Sequence, residues 1–168
     1  MSSSSAPADG IFSKLVFHLL EFQIGGIVSS TYAYRFRGSR GGLAADLTAE
    51  SGAPADGDAH LQIERNVCLT LPPGVNWRDA AWLSFGLAVH APELVSRHPE
   101  GLCVRVTSLV FPHAYFRSEV AALVMDGWLR QEFDLPDREL SVAFDAAGDT
   151  YRFQWGEHKE PFSDDLVH

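Results

Sequence analysis

The spacing of apolar residues changes twice along this chain, and that change restricts the fold more than any other feature. From Leu15 to Phe36 apolar and polar residues alternate with a period of two, the signature of strands. From Trp77 to Ala91, and again from Phe116 to Phe133, apolar residues recur at helical spacing around most of the circumference. From Glu139 to Trp155 the period returns to two. A strand-rich start, then helix, strand, helix, then a closing hairpin predicts an α+β domain. The expectation is an antiparallel-rich mixed sheet of about six strands with two main helices packed on one face.

Local signals set the expected boundaries. Gly25-Gly26 reads as a two-residue hairpin turn. It pairs Leu19 with Tyr32, Phe17 with Tyr34 and Leu15 with Phe36 on one large apolar face, which is core. The opposite face mixes Val16, Leu20, Phe22, Ile24 and Ile27 with polar residues, so a partner or a second copy is expected to cover it. Residues 38–42 read as a loop, Leu43 to Thr48 as a short strand and His60 to Leu71 as one long strand. Asn76 is placed to cap a helix beginning at Trp77. Pro92 is expected to interrupt that helix at about Ala91, with a short second turn continuing to His98, and Asp79, Gly86 and His90 form its polar stripe. Leu102 to Phe111 reads as a strand. In the second helix Glu119, Asp126 and Arg130 read as a narrow solvent stripe, with Asp126 and Arg130 an exposed pair. The expected organisation is a disordered N-terminus over 1–10, a single α+β domain over 11–156 and a loose polar tail over 157–168.

Composition excludes some function classes. The chain carries 22 acids against 13 bases, a formal net charge of −9. Nucleic acids and anionic membranes reward clustered Lys and Arg, so neither is expected as a partner. No apolar run reaches the ~20 residues that span a bilayer, and Met1 to Gly10 lacks the basic start of a secretory signal. The expected location is cytoplasmic. Cys68 and Cys103 lack the spacing of a zinc or redox motif and read as reduced, buried, small hydrophobes.

Three groups of residues are candidates for chemistry. Arg35, Arg37 and Arg40 fall beside Gly38, Gly41 and Gly42, where open backbone and guanidinium groups suit an anion. Arg65 falls on the apolar side of the 60–71 strand, where a charge needs a carboxylate or a ligand. His113, Tyr115 and Arg117 follow a strand and precede a helix, placing a titratable ring, an amphipathic ring and a cation near a helix N-terminus. No histidine or cysteine spacing points to a metal, and no motif points to a cofactor.

The reading that follows is a small cytoplasmic, non-enzymatic binding or accessory domain acting through protein–protein contacts or self-association as a homodimer. The alternative is a small metal-independent enzyme or small-molecule-binding protein with its site at the 111–117 loop and a small anionic ligand. The first requires an exposed apolar patch, the second an enclosed pocket where these side chains converge.

Overall fold

The computed structural model describes residues 28–38, 41–55, 57, 59–112 and 116–162. The elements run β1 (Ser30–Gly38), β2 (Gly41–Gly52), β3 (Leu61–Glu64), β4 (Val67–Thr70), α1 (Trp77–Arg97), β5 (Leu102–Val110), α2 (Val120–Phe133), β6 (Leu140–Asp145) and β7 (Thr150–Trp155). The first five strands form one sheet in the order β1-β2-β5-β4-β3, and β6-β7 form a separate hairpin. All pairings are antiparallel except β4 with β5. The fold is thus the expected α+β class, with the strands divided five and two and the helices packed on the sheet.

Alternation decides which face of the sheet is core. Leu43, Ala45, Leu47 and Ala49 of β2 are fully buried, and opposite them on β1 stand Phe36, Tyr34 and Tyr32. The other face is polar. Arg35 pairs with Asp46 at 2.6 Å, Arg105 with Glu50 at 2.6 Å, and the Thr31 and Thr48 hydroxyls meet at 2.8 Å. Strand β1 takes β2 as its neighbour, from Ser30 opposite Ala49 to Gly38 opposite Gly41, so Gly38, Gly41 and Gly42, expected in a loop, lie in strands. The hairpin expected around Gly25-Gly26 lies outside the described residues.

The long strand expected over 60–71 is two strands. The chain reverses at Arg65-Asn66, where Arg65 takes a left-handed φ of 33°. A two-residue turn alone would set residues 61 and 63 on the face opposite 67 and 69, but a register shift between Gln62 and Glu64 brings Leu61 opposite Leu69, so the odd-numbered apolar residues share a face across the turn. That is why the sequence reads as one continuous strand.

Helix α1 does not stop at Pro92 but runs on to Arg97. Pro92 forfeits one helical hydrogen bond, leaving the Ala88 carbonyl free. Both Pro92 and Ala88 lie on the exposed side, where water meets that carbonyl. Buried Leu94 and the Arg97 guanidinium, which donates to the Phe133 carbonyl at 2.8 Å, hold the last turns in place.

Helix α2 is the centre of the molecule. Its first ten residues, Val120 to Leu129, are all buried, as expected of a helix apolar nearly all round. Fully burying each large side chain among them stabilises the fold by roughly 1.5–3 kcal/mol. Close approach on both sides depends on glycine. A Cβ on Gly127 would fall 2.1 Å from the Tyr32 ring of β1, and one on Gly86 of α1 would fall 2.7 Å from the Ala122 carbonyl oxygen.

Candidate functional site

The two helices run parallel. His90 meets Asp126 and Arg97 meets Phe133, each pair 36 residues apart, and Gly86 against Ala122 keeps the same offset. The cause is topological. The chain leaves β4 at Thr70 to enter α1, and leaves β5, parallel to β4, to enter α2. Both helices therefore begin at the carboxyl-terminal end of the parallel strands, side by side. Their leading N–H groups are taken locally: Val120, Ala121 and Ala122 donate to the carbonyls of Arg117, Ser118 and Glu119, and Asp79 and Ala80 donate to Asn76.

A cleft of about 370 Å3 opens at this shared end. The start of α1 supplies Trp77, Arg78 and Trp82, and the approach to α2 supplies Phe116 to Glu119. Glu160 and Phe162 form its third wall. Trp77 is 70% exposed, Phe116 56% and Phe162 49%, while Trp82 beneath them is 6% exposed. The Arg78 guanidinium stacks over the Trp77 ring, 5.2 Å from its centroid.

Packing underneath explains why the cleft holds its shape. The Trp82 ring stacks on Trp155 of β7 at 4.8 Å and takes the edge of Phe162 at 4.9 Å. Phe85 meets both Trp155 and His158 edge-on. Residues 157–162 thus lie against α1. On the far side Phe116 rests edge-on against Phe111 at 4.8 Å. Asn76 fixes the start of α1, its Oδ1 accepting the Asp79 backbone N–H at 2.9 Å, as its position in the sequence predicts.

Of the sequence candidates, Arg117 alone is placed at this cleft, and it is exposed. His113, Tyr115 and Arg40 lie outside the described residues. Arg35 and Arg37 project from the polar face of β1, and Asp46 neutralises Arg35, holding its guanidinium above the usual range through a direct hydrogen bond. Arg65 is exposed in the β3–β4 turn, not on an apolar strand face, so it has no buried charge to compensate. That turn adjoins the start of β5, since the Leu102 N–H donates to the Asn66 carbonyl, whereas Arg117 comes after the far end of that nine-residue strand. Strands β1 and β3 are opposite edges of the sheet. Arg65, Arg35 and Arg117 therefore do not converge.

Sequence reasoning missed Trp77, Arg78, Phe116 and Phe162. A signal existed in Trp77, a large ring directly after the cap, where the first turn of a helix faces outward. It also misassigned the polar residues between the helices. His90 is fully buried and Asp126 is 4% exposed, and His90 Nε2 lies 2.7 Å from Asp126 Oδ1. The polar stripe of α1 and the expected solvent stripe of α2 thus meet at His90 and Asp126, and Asp126 also lies 3.5 Å from Arg130. Among the described residues, no three His, Cys, Asp or Glu side chains gather as a metal site would require, and no helix is long and apolar enough to cross a membrane.

The chain matches no protein-family model, no curated protein and no solved structure. Fold and cleft together define an α+β domain with an open aromatic cleft at the paired N-termini of parallel helices.

Proposed function

We propose that this protein is a non-enzymatic binding domain that recognises a segment of another polypeptide in the aromatic cleft between Trp77, Phe116 and Phe162. The observation that carries the reading is the exposure of these three large rings around one concavity. Exposed aromatics grouped over a rigid base are typical anchors of protein recognition, where rings bring large contact area at low entropic cost. The cleft is open rather than enclosed, which suits a side chain inserted from a partner. Arg78 and Arg117 are balanced on the same lining by Glu119 and Glu160, so the rings rather than a net charge carry the recognition.

A different polypeptide is a better occupant than a second copy, because a net charge of −9 makes two copies repel. The buried free thiols of Cys68 and Cys103 suit a reducing compartment such as the cytoplasm.

Panning a displayed random-peptide library tests the proposal, with the Trp77→Ser, Phe116→Ser double variant as counter-selection. Peptides with an aromatic or proline anchor should be enriched and should bind the variant at least roughly tenfold more weakly. Enrichment that the variant shares would overturn the reading. So would a concentration-dependent dimer abolished by the same substitutions, which would assign the cleft to self-association.

A further inference from the structure

A second cleft lies on the other side of the α1 start and shares no lining residue with the first. It holds about 320 Å3 between the 72–76 loop and the last residues of β5. Its walls include Pro72, Pro73, Asn76, Leu109 and Phe111, and the one charged side chain on them is Asp79. The cleft sits beyond the carboxyl ends of β4 and β5, where sheets with parallel strands generally receive ligands.

Asp79 is 6% exposed. Its Oδ2 accepts from Asn76 Nδ2 at 2.6 Å, and its backbone N–H is taken by Asn76 Oδ1. The Ala80 N–H is taken by the Asn76 carbonyl at 3.0 Å. The helix start is therefore capped by its own residues and does not call for an anion. The group left over is an acceptor: Asp79 Oδ1 is buried and has no hydrogen-bond partner among the described residues. A buried carboxylate oxygen in that state is destabilising unless a donor reaches it. The proline rings, Leu109 and Phe111 around it offer an apolar lining, and the volume is near the lower end of small-ligand sites, roughly 300–1,000 Å3.

We infer that this cleft binds a primary alkylammonium group, with the cation on Asp79 Oδ1 and the aliphatic stem along Pro72, Pro73, Leu109 and Phe111. A free amine and a lysine side chain share this chemistry. The test is an amide-resolved NMR titration with n-butylammonium, and in parallel with n-butyrate, which has a similar stem and opposite charge. Butylammonium should give saturable shifts at residues 74–79 and 107–111 by about 10 mM, tenfold above a millimolar Kd. Butyrate should give none there, and Asp79→Asn should weaken the amine at least roughly tenfold. A third arm with N-acetyl-lysine methylamide separates the sources: binding equal to butylammonium indicates a lysine side chain, and binding by butylammonium alone indicates a small free amine. Equal shifts from butyrate, or none from butylammonium, overturn the proposal on the unaltered protein even where the Asp79 variant fails to fold.

Discussion

At the scale of single residues, burial controls titration. Cys68 and Cys103 face each other across the parallel β4–β5 pair, both buried and free. Burial, reinforced by the neighbouring Cys103 thiol, pushes the Cys68 thiol from 9.0 up to about 12. Burial, with Tyr32 nearby, likewise raises Tyr34 from 10.0 to about 12. In both cases the folded state holds a proton that the unfolded state releases sooner. The stability they contribute is whole below the unfolded values and declines as pH rises through the folded ones. Urea midpoints should accordingly stay level up to about pH 9, as far as these two groups determine them, and fall between pH 9 and 12. In Cys68→Ala that fall should begin nearer pH 10, with Tyr34 alone. An unchanged onset in the variant would show that the thiol is not perturbed. Native alkylation should leave both thiols unmodified, and denaturation without reductant should expose two.

At the scale of elements, the parallel contact of α1 and α2 rests on Gly86 and on the His90–Asp126 hydrogen bond. Gly86→Ala places a methyl group 2.7 Å from the Ala122 carbonyl and 2.9 Å from the Met125 Cβ. Backbone cannot yield as a flexible side chain does, so the variant should lose about 1–3 kcal/mol in denaturant unfolding. Removing one partner of the buried pair, as in Asp126→Ala, should cost about 3 kcal/mol. Replacing both with Leu should recover most of that loss. A single substitution that costs under about 1 kcal/mol would mean that the pair is not desolvated as described.

The same elements show what the sequence made legible. Helix α1 was readable at its start because a cap is a local signal, and the β6–β7 hairpin because its alternation is strict. The Arg65-Asn66 reversal was hidden because the register shift between Gln62 and Glu64 restores the period of two that the turn alone would break. Pro92 misled because its cost depends on whether the freed carbonyl reaches water, which the sequence does not state. His90 and Asp126 read as parts of separate polar stripes because a polar residue at helical spacing looks alike whether it meets water or a partner helix. Arg117 was legible as a candidate through its place before a helix, and it lines the cleft. Trp77, Phe116 and Phe162 come together from distant parts of the chain, so no local pattern joins them.

At the scale of the whole molecule, the parallel strand pair places both helix starts at one end, and the aromatic cleft forms there. The four tryptophans make this testable by direct observation. Trp77 is exposed in the cleft and Trp82 forms its base, whereas Trp128 is fully buried beneath β1, donating from Nε1 to Ser30 Oγ at 2.9 Å. The decisive measurement is 19F NMR of the 5-fluorotryptophan-labelled protein, titrated with a peptide selected against the wild type. The account predicts that the Trp77 resonance moves most, Trp82 follows, and Trp128 stays where it was. A peptide that binds while Trp77 remains unshifted would contradict it and place recognition elsewhere on the molecule.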